Sequence, residues 1–334
     1  MAEKIISPGV FQNESDQSLV QRGIQGTATA VVGPTVLGQP LVPTYVTSYS
    51  EFTNKYGETF KSGSYYYEYF TSQAAREFFQ NGGQTLLVTR VISGSANVST
   101  YASSVVPAFV SGSTTNSFTI EALTWGDIMN NTSSLTSGSL ASGTTNNVRW
   151  EVTSVNTGSG LFTLAVRQGN DNNAQKNYIE TWPNLSLDPT AANYVARVIG
   201  DQVLNYNSTT NQMELSGTYP NMSQYVRIKT VTYPTPNYFD PNGVAVSAYT
   251  ASIPVNGSGS AGGSFNSATG TVNSNITVYN NISTNTQGLL GASYNNMIAL
   301  LGNAEAYQFN LLFTPGLLND AHPAQVTNLI NNTI

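Results

Sequence analysis

Histidine, the side chain that most readily moves a proton near neutral pH, occurs once in this chain, at His322. A Ser–His–Asp arrangement would have to use it, and no Gly-x-Ser-x-Gly elbow accompanies it. Standing just before Pro323, His322 reads as a surface residue at a helix start. Gly169 to Asn173 (GNDNN) resembles part of a calcium loop, but that spacing asks for glycine at position 176 and glutamate at 182. The chain has Lys176 and Trp182 there, so a turn is expected. Gly257 to Gly263 (GSGSAGG) lacks the Gly-Lys-Ser/Thr that completes a phosphate loop and reads as a flexible loop. The acidic residues are too dispersed to nominate a carboxylate pair for glycoside hydrolysis. Tyr65-Tyr66-Tyr67 could stack sugars or bases, yet its helical spacing beside Phe70 assigns it to packing. Sequons such as Asn184-Leu185-Ser186 and Asn221-Met222-Ser223 arise by chance in a chain rich in Asn, Ser and Thr, and no secretory signal accompanies them. No active site emerges. The expectation is a protein that is not an enzyme, with no cofactor and no metal.

Composition narrows the remaining classes. The 334 residues suffice for two or three domains and a sizeable core. Hydrophobic residues make up 40%, but charged residues only 9%, against roughly 25% in ordinary globular chains. The polar surface must therefore be built from Ser, Thr, Asn, Gln and Gly, as on β-rich proteins packed into large assemblies. Extracellular adhesins share that composition. The 12 basic residues are scattered and the net charge is −6, so nucleic acid is not expected as a partner. The chain contains no cysteine, which removes disulfides and thiolate chemistry. Residues 1 to 20 lack a secretory pattern, and no apolar run reaches the length of about 18 residues that would suggest membrane insertion.

The elements divide the chain into four stretches. Residues 1–20 form an extended N-terminal arm. Ser7-Pro8-Gly9 breaks helical continuity, and Ile5, Ile6, Val10 and Phe11 are apolar residues that such a segment cannot bury alone. It reads as a strand awaiting a sheet edge. Residues 21–98 carry an α/β pattern. Thr27 to Gly33 is an apolar strand, Val42 to Thr47 a second one, and a small helix covers Ser50 to Tyr56. Ser64 could cap a helix with Tyr67, Phe70, Ala74 and Phe78 on one face, stopped by Asn81-Gly82-Gly83. Thr85 to Val91 is a buried strand. Residues 99–285 form a β-rich inserted block. Phe118, Ile120, Ala122; Val148, Trp150, Val152; and Phe162, Leu164, Val166 alternate as in antiparallel strands with one wet face. A single helix near 189–200 interrupts it, capped by Asp188 with Pro189 in its first turn and stopped by Gly200. Residues 286–334 return to the α/β pattern: a helix with Tyr294, Met297, Ile298 and Leu301, an apolar strand from Gln308 to Phe313, a Thr314-Pro315-Gly316 turn, and a helix from Pro323. The fold class is mixed α+β and α/β: an open α/β domain interrupted by a β-rich insertion, seemingly incomplete at its C-terminal side.

Several of these stretches, in this order, resemble the contractile phage tail sheath family. Ser7-Pro8-Gly9-Val10 looks like its N-terminal arm. Gly26 to Gly33, Gly38-Gln39-Pro40, Val46 to Phe52 and Lys55-Tyr56-Gly57 are similar to the segment after that arm. Ala74 to Val91 (AAREFFQNGGQTLLVTRV) resembles its helix, double-Gly stop and strand ending in Arg. Residues 118–132, 178–199 and 304–316 are weaker matches. The resemblance covers the N-terminal portion of such a protein, without its C-terminal domain.

The resemblance implies a structural subunit that forms a helical six-fold sheath around a tail tube protein, between baseplate and tail terminator proteins. The sheath contracts to drive the tube through a host envelope and deliver a genome. Such a protein is assembled in the host cytoplasm and resides in the virion tail. Ile5, Ile6, Pro8, Gly9, Val10 and Phe11 are the expected linkage residues. The competing reading is a tail fibre or host-recognition adhesin with a glycan-binding β-rich domain, although no internal repeat supports it.

Overall fold

A computed structural model describes residues 29–62, 65–91, 103–107, 116–124, 135–136, 139–140, 148–260, 294–320 and 322–333. In chain order the first group of elements is β1 (Thr29–Gly33), β2 (Thr44–Val46), α1 (Tyr49–Tyr56), β3 (Thr59–Ser62), β4 (Tyr65–Glu68), α2 (Phe70–Gln80) and β5 (Leu86–Arg90). The middle group is β6 (Ser103–Pro107), β7 (Asn116–Ala122), β8 (Leu135–Thr136), β9 (Ser139–Leu140), β10 (Val148–Asn156), β11 (Leu161–Gln168) and β12 (Tyr178–Ser186). It continues through α3 (Val195–Ile199), β13 (Val203–Asn207), β14 (Gln212–Ser216), β15 (Val226–Val231), α4 (Ser247–Thr250) and β16 (Gly257–Ser260). The last group is α5 (Asn295–Leu301), β17 (Leu311–Phe313) and α6 (Pro323–Thr333). Helices and strands are mixed throughout, as the two periodicities in the sequence require.

The first and last groups share one sheet in the order β17-β1-β5-β2. β1 lies parallel to both β17 and β5, while β2 runs antiparallel to β5. Every residue of β1 and β5 is buried, which is why both read as unbroken apolar runs rather than alternating ones. One face carries Ala30, Val32 and Leu87 against Met297, Ile298 and Leu301 of α5. The other carries Val31, Leu86 and Val88 against Phe52, Tyr56 and Ala75. Helix α2 approaches β1 so closely that a Cβ on Gly33 would lie 2.3 Å from Thr71 Oγ1.

The first helix begins where its side chains cap it. Ser48 Oγ accepts from the Glu51 amide at 3.1 Å, and the Glu51 carboxylate accepts from the Thr47 amide at 2.8 Å. Helix α2 stops at Asn81, after which Gly82 takes φ 89°. Gly83 is needed for a different reason: a Cβ there would sit 2.4 Å from the Phe78 ring. Ser64, the expected cap, lies outside the described residues. Tyr65-Tyr66-Tyr67 lies in β4, paired to β3, so α2 begins at Phe70 with no side-chain cap. Three successive aromatic residues favour a pleated strand over the first turn of a helix. Arg90, the last residue of β5, is buried and donates to the carbonyls of Thr35 (3.2 Å) and Gly38 (2.5 Å), pinning the segment after β1. Burial pushes its guanidinium down to about 10 and the neighbouring Tyr56 phenol up to about 12.

The middle group packs one sheet, β12-β11-β10-β16, against another, β15-β7-β6. All nine apolar residues expected to alternate inward do so. Phe118 of one sheet stacks on Phe162 of the other with ring centroids 5.6 Å apart. The opposite face of the larger sheet was expected to be wet and is covered in part: Thr181 and Tyr178 of β12 are exposed, but Arg149, Glu151 and Arg167 are buried. The hairpin loop between β11 and β12 folds back across it, and Arg167 is entirely buried there. Arg167 donates to both oxygens of Asp171, at 2.6 and 3.0 Å, in a paired fork. Arg149 lies 3.5 Å from the same carboxylate, and Lys176 and Tyr178 donate to Glu151 at 2.5 and 2.8 Å. On the smaller sheet, buried Glu121 accepts from Arg227 and, at 2.8 Å, from Lys229.

Two further expectations are corrected here. Asp188 accepts from the amide and hydroxyl of Thr190, at 2.9 and 2.7 Å, and so closes a turn. The helix begins later, at Val195, and a second short helix, α4, follows near 250. Pro189 and the bonds made by Asp188 hold the turn, leaving helical dihedrals only from Val195 to Ile199 before Gly200 at φ 109°. Gly257 to Ser260 is strand β16 rather than loop, because β10 offers a free edge from Arg149 to Val152. Backbone hydrogen bonding there overrides the poor strand propensity of Gly and Ser.

The Asp171 cluster generates a stability prediction. Asp171→Asn leaves two buried arginines with one carboxylate fewer, and the cost should be about 3–5 kcal/mol. Urea denaturation checks this, with a shifted midpoint and an unchanged slope expected. A loss below about 1 kcal/mol would mean that the cluster behaves as an exposed ion pair.

Candidate assembly surface

The linkage residues nominated from the sequence, Ile5, Ile6, Pro8, Gly9, Val10 and Phe11, lie outside the described residues. The sites that carried possible chemistry are accounted for by packing. His322 is buried, not on the surface as expected: only 6% of it is exposed. Its amide donates to the Leu318 carbonyl at 2.8 Å, and its own carbonyl accepts from the Val326 amide, so it continues into the first turn of α6. In the GNDNN loop the carboxylate of Asp171 accepts from Arg167 and lies 3.5 Å from Arg149. Asn172 Oδ1 accepts from the amides of Ala174 and Gln175 at 2.9 and 2.8 Å, closing the turn. Among the described residues, no three His, Cys, Asp or Glu side chains gather as metal ligands.

What the structure offers instead is an open sheet edge. β17 pairs with β1 in the register Thr29–Leu311, Ala30–Leu312 and Val31–Phe313. Its other side meets no strand among the described residues. Alternation sends Leu312 into the cluster with α5 and leaves Leu311 and Phe313 on the opposite face, 48% and 41% exposed. The sequence led to an apolar strand from Gln308 to Phe313; only Leu311–Phe313 pair with β1, Phe309 packs against the α5 cluster, and the outward placing of Leu311 and Phe313 was missed.

Two more large apolar residues are exposed in the segments that follow. Thr314-Pro315-Gly316 makes the expected turn, with the Leu317 amide donating to the Thr314 carbonyl at 3.0 Å. Leu317 is buried, whereas Leu318 is 42% exposed, as is Ile330 of α6 at 49%. No charged residue, proline or bulge occupies β17.

The edge strand β12 of the larger middle sheet is blunted. β12 carries Pro183 within the strand, Asn184 at φ 55° and two register shifts against β11. Proline, irregular twist and charge are the ordinary means by which a sheet avoids adding a foreign strand. β17 has none of them. Its chemistry is therefore that of an acceptor: backbone groups that pair with no strand among the described residues give affinity and direction, and two exposed apolar side chains reward a strand with apolar residues in register.

No family of known proteins matches the sequence, and no curated protein matches it. Solved structures that the chain matches include a sheath tail protein from Listeria innocua, 12% identical, covering 92% of this chain and 43% of that one, with a TM-score of 0.43. Another is a sheath tail protein from Desulfitobacterium hafniense, also 12% identical, covering 97% of this chain and 61% of that one, with a TM-score of 0.26. The chain thus spans less than two thirds of the length of either.

Proposed function

We propose that this chain is a structural subunit of a contractile tail sheath, working by joining copies of itself and not by catalysis. The observation that carries the reading is a convergence. The stretches that resemble the sheath family most fully, Gly26 to Gly33, Val46 to Phe52, Lys55 to Gly57 and Ala74 to Val91, supply β1, the end of β2, most of α1, most of α2 and β5. Residues 304–316 supply β17. All of them build the one sheet whose β17 edge is open, apolar and unblunted.

An extended apolar leader and an acceptor edge are the two halves of a strand-addition joint. Residues 4–20 of one copy would pair along a sheet edge of another. Backbone hydrogen bonds would hold the joint while the domains rotate as rigid bodies. Assembly around a tail tube, attachment to baseplate and terminator proteins, contraction and genome delivery belong to this reading, as does residence in the virion tail after assembly in a host cytoplasm.

The low charge of the chain supports the same conclusion. With 9% charged residues and several of them buried in pairs, apposed copies bring few like charges together.

Two experiments test this reading. Deleting residues 4–20 from the full-length protein should abolish tubes in negative-stain micrographs while leaving the circular dichroism spectrum and melting temperature unchanged; normal tubes would end the linkage role. Fibres in place of tubes would favour the adhesin. At the edge, Leu311→Lys and Phe313→Lys should each cost no more than about 1 kcal/mol, because each side chain is already roughly half exposed. Both should also lower tube yield. Unaltered tube yield would remove β17 as an acceptor.

A further inference from the structure

Three asparagines in this chain stand directly before a glycine, Asn81, Asn242 and Asn256, and all three are exposed. Glycine has no Cβ to shield its own amide nitrogen, so in an Asn-Gly pair that nitrogen most easily reaches the asparagine Cγ. The fold holds the three pairs differently. The Asn81 side chain donates to the Glu77 carbonyl at 2.7 Å, at the end of α2. Asn256 Oδ1 accepts from the Val155 amide at 3.3 Å, and Gly257 is paired with Val152 in the β16 ladder. The Asn242 side chain makes no hydrogen bond among the described residues.

The turn around Asn242 is built by its neighbours. Phe239 and Ala245 form an antiparallel bridge, and the Asp240 amide donates to the Val244 carbonyl at 2.8 Å. Asp240 Oδ1 accepts from the amides of Asn242 and Val244, at 2.9 and 2.8 Å, in an Asx turn. Gly243 takes φ 78°, and a Cβ there would meet nothing within 4 Å, so no other group crowds the Asn242–Gly243 peptide. The Gly243 amide donates to the Asp240 carbonyl at 2.9 Å. That bond restrains the nitrogen, while the Asn242 side chain is left free to approach it.

We propose that Asn242 is a site of spontaneous deamidation, selected by the fold from the three Asn-Gly pairs. The Gly243 nitrogen gives its proton to hydroxide and bonds to Asn242 Cγ. The Cγ–Nδ2 bond breaks, and the nitrogen leaves as ammonia after taking a proton from water. Water then opens the cyclic imide at either carbonyl, leaving aspartate or isoaspartate at 242, with no oxidant and no enzyme. At Asn81 and Asn256 the side-chain hydrogen bond must break before the same attack can begin. The product puts a second carboxylate two residues from Asp240, between Phe239 and Val244, which are 45% and 62% exposed. Like charge there opposes the Asx turn, and isoaspartate also lengthens the backbone by one carbon. Modification therefore loosens the turn and makes a small apolar surface acidic, whether or not copies assemble.

Chymotrypsin separates the three sites, because cleavage after Phe79, Phe239 and Tyr249 puts each asparagine in its own peptide. The full-length protein is held at mildly alkaline pH, and the peptides are followed by mass spectrometry, with isoaspartate distinguished by its separate elution. Asn242 should convert several-fold faster than Asn81 or Asn256, and the three rates should converge in urea that unfolds the chain. Equal rates in the folded protein, or the same ranking in urea, would overturn selection by the fold. An Asn242 that stays intact while either of the others converts would overturn the site itself. Asp240→Ala removes the acceptor for the 242 and 244 amides and should raise the Asn242 rate several-fold, whereas Asp240→Asn, which keeps an Oδ1, should leave it near that of the parent. Unchanged rates at Asn81 and Asn256 exclude global unfolding of either variant. An unchanged Asn242 rate in a folded D240A would overturn the restraint assigned to the turn.

Discussion

The short parallel ladder between Thr29–Val31 and Leu311–Phe313 is the contact on which the rest of the molecule depends. It joins a strand near the start of the chain to one near its end, so everything after β5 must leave this sheet and return to it. Closing a flexible loop of that length costs on the order of 5 kcal/mol, more than three backbone pairs can offset unaided. The intervening chain is not a flexible loop: it folds into a two-sheet block with its own core of Phe118, Trp150, Phe162 and Leu164. That folding shortens the effective loop, and helix α5 then brings Met297, Ile298 and Leu301 onto the sheet, adding apolar burial to the ladder.

The placement of charge follows from the same economy. The chain has few ionisable groups, yet Arg90, Glu121, Arg149, Glu151, Arg167 and Arg227 are buried, and Asp171 joins them. Burying ions is not a general route to stability. Here, however, each carboxylate is shared by two cations or by a cation and a hydroxyl, and the arginines carry planar forks suited to that. A surface left to Ser, Thr, Asn and Gln is the consequence. Such a surface neither attracts nor repels its copies strongly, and it leaves recognition to backbone edges and small apolar faces.

Much of the architecture was legible in the sequence because burial on both faces writes an unbroken apolar run, as in β1 and β5, and burial on one face writes alternation, as in β7, β10 and β11. The misreadings share a cause: tertiary pairing decided what local signals left open. Tyr65-Tyr66-Tyr67 became a strand because β3 lay beside it, and Gly257–Ser260 became one because β10 had a vacant edge. Asp188 capped a turn instead of a helix because its oxygens were taken by Thr190 and by the Asn237 amide. The covered part of that face of the larger sheet was invisible for a similar reason. Arg149, Glu151 and Arg167 read as solvent-facing until the 169–177 loop is folded over them.

The β17 edge differs in kind from the rest of the described surface. Its outer side meets no strand among the described residues, so whatever completes it must be an extended strand in register, a strong and directional requirement. β12, by contrast, carries a proline, a left-handed asparagine and two register shifts, each of which hinders addition of a strand.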